Sequence, residues 1–282
     1  MQWRGRQGSK NVEDRRGMGG GGKTLVGGGI GSIIIFLIVT LLGGNPGDLL
    51  GTTTSNSTSN APYTETAQEK ELADFVSVVL ADTEEVWTDI FKQQNKVYEN
   101  PKLVLYTDSV ESACGVAGSS VGPFYCPGDH KLYIDLSFYE ELQQKFKAPG
   151  DFAMAYVIAH EVGHHVQTLL GTTEKIMPLS QKLSKEEFNK YLVRFELQAD
   201  YMAGVWAHHA QDMNVLEKGD LEEALTAASA VGDDSIQKQA QGYVVPESFT
   251  HGTSEQRKQW FYKGFKSGTI EGGDTFNAAS GF

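Results

Sequence analysis

The sequence predicts a helix-dominated α+β domain standing behind one N-terminal apolar anchor. Three observations predict it. Apolar positions recur at three- and four-residue steps through most of the chain after residue 65. Two short strand-like runs, 103–106 and 131–136, fall near the start of that region, which makes a small sheet. Ahead of both lies 24–44, a stretch without a single charge that contains Ile33-Ile34-Ile35-Phe36-Leu37-Ile38-Val39. The 282 residues, 40% hydrophobic and 21% charged, are globular in composition and long enough for one sizeable domain. A net charge of −12 argues against nucleic acid as a partner, since phosphates call for a basic footprint. Two cysteines exclude a cysteine-rich zinc finger or a disulfide-dense miniprotein.

The charge is divided along the chain. Residues 1–23 carry six basic and two acidic groups, a net +4; eighteen basic against thirty-four acidic groups leave −16 for the rest. The apolar stretch 24–44 is 21 residues long, and at about 1.5 Å per residue a helix of that length spans the roughly 30 Å hydrocarbon core. Its basic flank precedes it, so the positive-inside rule predicts a cytoplasmic head over 1–23, a single-pass transmembrane anchor contacting the bilayer over 24–44, and a body outside the cytoplasm. Residues 45–62, rich in Gly, Ser, Thr and Asn, read as a flexible linker. The domain proper then covers 63–282.

Within the domain a helix is expected over about 65–95, where Leu72, Phe75, Val76, Val79, Leu80, Val86, Trp87, Ile90 and Phe91 mark one face. The strand 103–106 follows, then a Gly/Cys/Pro-rich loop over 107–130 and the strand 131–136. Ser137 with Glu140 forms a potential capping box for a short helix to about 146. Asp151 is a candidate N-cap for a helix to Leu170, which Gly171 ends. Ser184 with Glu187 forms a second capping box, opening a long helix to about 213. Further helices are expected over 220–231, 233–241 and 254–266.

The chemistry lies in the helix over 152–170, which contains His160-Glu161-Val162-Gly163-His164. Residues four apart differ by about 40° around a helix, so the two imidazoles point to one side and can share a metal ion. Glu161 lies roughly 60° from His164, close enough to act on a water without ligating the metal. Zinc is the expected cofactor, because it lowers the pKa of a bound water to about 7 and a carboxylate can then take the proton. The flanking residues 152–159 are apolar, so this helix is buried and its polar groups need partners.

A catalytic zinc takes a third protein ligand. The metzincin pattern would need glycine and histidine at positions that here hold Gln167 and Leu170. The next long helix instead offers Glu196 and Asp200, four apart and so on one face. Glu196 is the candidate third ligand, and Asp200 the candidate acceptor for the free ring nitrogen of a ligand histidine. The competing reading is an ordinary acidic pair on a solvated face, which the apolar neighbours Phe195, Ala199, Met202 and Val205 disfavour.

On these residues the chain resembles the gluzincin branch of the zincin metallopeptidases. Phe195-Glu196-Leu197-Gln198-Ala199-Asp200 is similar to the zinc-glutamate segment of membrane-bound endopeptidases related to the heat-shock protease and the prenyl-protein protease. More closely, the whole chain resembles the bacterial neutral zinc metallopeptidase family. The likeness rests on the basic head before one anchor, Cys114-Gly115, the segment from Gly122 to Pro127, Tyr133-Ile134-Asp135, the motif helix, Glu196 with Asp200, and the stretch from His251 to Arg257. It implies a zincin-like fold, hydrolysis of peptide or protein substrates, and residence at the bacterial inner membrane with the domain on the periplasmic side. It also implies that the strand near Tyr133 is a sheet edge able to hold extended substrate.

Outside the cytoplasm Cys114 and Cys126 can close a short disulfide loop. The competing reading, a second metal site, has only His130 nearby. His251 stands just before a helix capped by Thr253 or Ser254, and is a candidate catalytic residue that steadies an oxyanion. Tyr125 and Tyr156 are weaker candidates for that task. His165 points about 100° away from His164 and is not expected to ligate; His208 and His209 read as packing or surface residues. The rival from another class is a membrane-tethered scaffold that keeps zinc structurally, but a structural zinc has four protein ligands and would leave Glu161 without a task.

Overall fold

The computed structural model describes residues 1–18 and 63–277. The expected anchor 24–44 and linker 45–62 lie outside the described residues. No helix among the described residues is long and apolar enough to cross a membrane.

In chain order the strands are β1 (Val12–Asp14), β2 (Lys102–Tyr106), β3 (Ser109–Ser112), β4 (Gly115–Gly118), β5 (Phe124–Cys126) and β6 (Lys131–Asp135). The α-helices are α1 (Ala67–Gln93), α2 (Phe138–Gln144), α3 (Asp151–Leu169), α4 (Thr172–Ile176), α5 (Lys185–Asp212), α6 (Asp220–Ala230), α7 (Asp233–Gln241) and α8 (Ser254–Ser267). The helix-dominated α+β class is therefore as expected. A four-stranded sheet runs in the order β1-β2-β6-β5, and β3 with β4 forms a separate hairpin. β1, β2 and β6 are parallel, while β5 pairs antiparallel with β6, Phe124 opposite Tyr133 and Cys126 opposite Lys131.

Three sequence expectations need correction here. The strand holding Tyr133 is interior: β2 flanks it on one side and β5 on the other, so the sheet edge on that side is β5. The segment 107–130 is not a plain loop, since it contains β3, β4, β5 and the Cys114–Cys126 disulfide. Its strands are only three or four residues long and include Gly115 and Gly118, too short to carry a period-two signal. Two expected caps are also absent. Ser137 makes no side-chain cap bond, and α3 is preceded by Gly150 at φ 114°, so Asp151 is its first residue. The boxes Thr66–Glu69, Ser184–Glu187 and Thr253–Gln256 do form, each satisfying orphan N–H groups at a helix start.

The largest difference concerns the N-terminus. A basic head set apart from the domain does not fit the packing of residues 1–18. β1 is a strand of the sheet, with Leu103 N donating to the Asn11 carbonyl and Arg15 N to the Leu105 carbonyl. Met1 and Trp3 are buried, and the Trp3 ring meets Phe75 edge-on at 5.4 Å. The cations of the head are taken up by the acidic body: Arg6 bonds buried Asp82 at 2.6 Å, Arg4 pairs with Glu71, and the Met1 ammonium bonds Asp151 at 2.7 Å. The charge split that suggests a cytoplasmic flank is thus the complementarity of one folded unit.

The core centres on α3, in which every residue from Phe152 to Thr168 is buried. It packs against α1, α5 and α6 and touches β5. At Gly163 the α3 and α5 backbones meet so closely that a Cβ there would stand 2.9 Å from the Ala199 carbonyl oxygen. α5 and α8 approach similarly through Gly204 and Gly264, where a Cβ would strike the opposing backbone. These small residues at the crossings set α3, α5 and α8 around one site.

Candidate metal centre

Three donors converge at the α3–α5 crossing. His160 Nε2 lies 3.1 Å from Glu196 Oε2, and His164 Nε2 lies 3.5 Å from Glu196 Oε1. Ligand atoms of His160, His164 and Glu196 all fall within 4.8 Å of one another, and all three residues are buried. The structure therefore brings the three expected ligands together. Two imidazole nitrogens and a carboxylate suit a divalent ion such as zinc.

Each imidazole is held by its other nitrogen. His160 Nδ1 donates to Asp200 Oδ1 at 2.8 Å, the contact the spacing predicts, and His164 Nδ1 donates to Gln167 Oε1 at 2.8 Å. Both Nε2 atoms are thereby turned toward Glu196. Gln167 is fixed in turn by donating to the Phe195 carbonyl (2.7 Å) and to Gln198 (3.0 Å). The His164 ring stacks on Phe195 at 5.0 Å.

Asp200 is fully buried and saturated. Besides His160 it accepts from Tyr156 Oη at 2.6 Å and from Arg257 through Nε at 2.9 Å and Nη2 at 3.0 Å. Burial opposes its ionisation, but Arg257 and His160 outweigh that and hold its pKa down at about 2. Burial likewise works against a charged His160, yet Asp200 and Glu196 raise its pKa to about 9. Glu196 stays well below the usual carboxylate range despite burial, owing first to His164 and His251. A cation held by the two Nε2 atoms and Glu196 would take the place of the proton that a charged His160 directs at Glu196.

Glu161 lines the same cleft, just over one turn from Val157 on α3. Burial raises its pKa, and nearby Glu196 adds to the rise, while His164, His160 and the Tyr125 backbone N–H oppose it. A carboxyl poised upward in this way is suited to exchanging a proton. The cleft is bounded by β5 and the residues before it, by α2, by α7, and by His251 and Arg257.

His251 also lines the cleft, held by an arrangement the sequence does not suggest. Asp233 Oδ2 accepts the backbone N–H groups of Thr250 (2.7 Å), His251 (2.7 Å) and Gly252 (3.0 Å). Asp233 Oδ1 accepts from His251 Nδ1 at 3.2 Å, which leaves Nε2 for other partners. Burial disfavours the charged ring, but Glu196 and Asp233 outweigh it and raise the pKa.

The two tyrosines offered as oxyanion donors are otherwise engaged: Tyr156 donates to Asp200, and Tyr125 Oη lies 3.0 Å from His165 Nδ1. His165 faces away from the metal donors, as its spacing predicts, and its Nε2 donates to the Glu99 carbonyl at 2.6 Å. Burial drops its pKa to about 4. His130 packs against His165 at 5.6 Å rather than against a metal set, and Cys114 and Cys126 are bonded to each other. His208 and His209 bond the carbonyls of Phe265 and Gly268, a packing role. Gln167, Arg257 and Asp233 are the members of the site that the sequence reading missed. Gln167 did carry a signal, because it stands three residues beyond His164 on the same face.

Comparison with known proteins comes down on the same side. A family model described as "Putative neutral zinc metallopeptidase" matches residues 1–276. The chain is 51% identical over 285 residues to a protein of Escherichia coli strain K12 described as "Uncharacterized protein YpfJ", covering 98% of this chain and 99% of that one. It is 38% identical over 254 residues to "Uncharacterized protein Rv2575" of Mycobacterium tuberculosis strain H37Rv, covering 85% of each. No solved structure matches it.

Proposed function

The chain belongs to the neutral zinc metallopeptidase family, and from that premise we propose that it is a gluzincin-type, zincin-like endopeptidase acting on peptides or proteins. The observation that carries the reading is the convergence of His160 Nε2, His164 Nε2 and Glu196 on one cleft that Glu161 also lines. His160, His164 and Glu196 would hold the zinc ion, which when bound supplies Lewis acidity that acidifies a water and polarises the scissile carbonyl.

The remaining chemistry belongs to the chain's own residues. Glu161 accepts the proton of the attacking water and delivers it to the departing nitrogen as the C–N bond breaks, leaving a carboxylate and an amine. His251, aimed by Asp233, steadies the negative charge that grows on the carbonyl oxygen. Asp200 and Gln167 orient the two imidazoles. The edge strand β5 offers backbone groups to an extended substrate.

The location is part of the proposal. Residues 24–44 serve as the membrane attachment, and the domain stands outside the cytoplasm, where a disulfide such as Cys114–Cys126 persists. That residues 1–18 belong to the sheet supports a reading in which both flanks of the apolar stretch stand on the domain's side of that membrane.

The test uses the full-length chain in detergent, loaded with zinc and incubated with a broad peptide mixture, cleavages being mapped by mass spectrometry. Glu161→Gln is expected to keep one zinc per chain and lose turnover; Glu196→Ala is expected to lose the metal. No cleavage by a chain that binds zinc would instead favour a tethered scaffold.

A further inference from the structure

Resting on the peptidase reading, we propose that the preferred substrate carries a large apolar side chain, aromatic or branched aliphatic, immediately beside the scissile bond. It would seat in the recess formed by Val121, Phe138, Phe146, Val157 and Ile236.

The recess and the metal donors share one cleft. Val157 stands three and four residues before His160 and Glu161 on α3, so the apolar wall begins one helical turn from the reacting groups. That distance fits a side chain on the residue next to the cleaved bond rather than one several residues away. The far wall is aromatic: Phe138 and Phe146 lie 6.2 Å apart at a tilt of 47°. Gly122, at φ 77°, adds no side chain on this wall; a Cβ there would stand 3.5 Å from Phe138. Ile236 closes the recess from α7, where it is half-buried.

Charge complementarity points the same way. Arg257 is the strongest cation on the lining, but it is committed to Asp200 and to the Val231 carbonyl, so it has little to offer an acidic substrate side chain. Apart from Glu161 and Glu196, the carboxylate on the lining is Glu141, which repels one. The apolar side chains of the recess offer no polar partner, so they penalise a charged side chain and reward an apolar one. Seating Phe or Leu there is expected to favour it over Ala by roughly 10- to 100-fold.

The experiment takes blocked decapeptides of alanine carrying Phe, Leu, Ala, Lys or Asp at the fifth position. Binding to full-length, zinc-loaded Glu161→Gln is measured by calorimetry, and cleavage by wild type is mapped by mass spectrometry. The Phe and Leu peptides are expected to bind roughly 10- to 100-fold tighter than the Ala peptide and to be cut beside the varied residue. Ile236→Lys, a change on a half-exposed helix face, is expected to abolish that advantage and to raise affinity for the Asp peptide. Equal affinity for all five peptides, a preference for Lys or Asp in the unaltered recess, or binding of none overturns the proposal. Apolar preference in binding with no cleavage by wild type leaves the recess standing and sinks the peptidase reading. Cleavage without preference does the reverse.

Discussion

Arg257 grips Asp200 through two hydrogen bonds, Nε to Oδ2 at 2.9 Å and Nη2 to Oδ1 at 3.0 Å, with both side chains buried. This fork ties α8 to α5 behind the candidate metal centre. It also keeps Asp200 ionised, so that Oδ1 can accept from His160 Nδ1. Removing one member of a buried pair strands the other, at a cost of about 3–5 kcal/mol.

A lysine cannot reproduce a planar two-point contact. Arg257→Lys is therefore expected to lower thermal stability and to weaken zinc binding by about 10- to 100-fold. Competition against a chelator measures the affinity, and melting with and without zinc separates it from stability. Unchanged zinc affinity in a destabilised variant would make Arg257 a purely structural residue.

Gly163 offers a test in which two effects oppose each other. In a solvated helix interior, alanine is favoured over glycine by about 1 kcal/mol. Here a Cβ would lie 2.9 Å from the Ala199 carbonyl oxygen and 3.1 Å from its Cα, and backbone cannot swing aside as a side chain can. Gly163→Ala is thus expected to be destabilising by about 1–3 kcal/mol, because overpacking wins. Forcing α3 from α5 also parts the imidazoles from Glu196, so zinc affinity should fall with stability. Denaturant melts check the sign, and a stabilised variant would mean the crossing is looser than described.

How far the site could be read from the sequence follows from how local each signal is. His160, Glu161 and His164 lie on one turn of one helix, and Glu196 with Asp200 on one turn of another, so helical geometry alone pairs them. Asp233 is different. It joins His251 across eighteen residues through backbone contacts of an irregular loop, and no periodicity marks that. The helices were legible because their buried stripes are long. β3, β4 and β5 were not, being three or four residues each, with glycine at both ends of β4 and a disulfide at the end of β5. The docking of the basic N-terminus was not legible for a physical reason: a run of cations has the same composition whether it faces lipid phosphate or Asp82 and Glu71.

His251 separates catalysis from metal binding. Its Nδ1 is held by Asp233 and its ring lines the cleft, but it is not one of the three converging ligands. His251→Ala is expected to leave zinc content unchanged while kcat falls by roughly 10²- to 10³-fold, the loss seen when an oxyanion donor is removed. Elemental analysis beside steady-state kinetics decides it. Parallel loss of zinc would make His251 a fourth ligand instead.

The position of residues 1–18 gives the last prediction. β1 hydrogen-bonds to β2, and Arg16 bonds Glu65 at 2.7 Å while lying over the Tyr63 ring at 5.8 Å, so the chain leaves the domain and rejoins it at neighbouring points. A single straight crossing of a bilayer by 24–44 would carry those points to opposite faces and tear β1 from the sheet. Both cysteines of the chain are in the disulfide, so an introduced cysteine is a clean reporter. Lys10→Cys and Tyr262→Cys, both at exposed positions, are expected to react alike with a membrane-impermeant maleimide on intact spheroplasts. Labelling of one and protection of the other would show that the head does not dock on the domain in cells. The same packing predicts that a chain trimmed to 62–282 folds poorly. Without residues 1–18 the edge of β2 loses its partner and Phe75 loses Trp3, which leaves an unpaired strand beside bared apolar surface, a combination that favours aggregation.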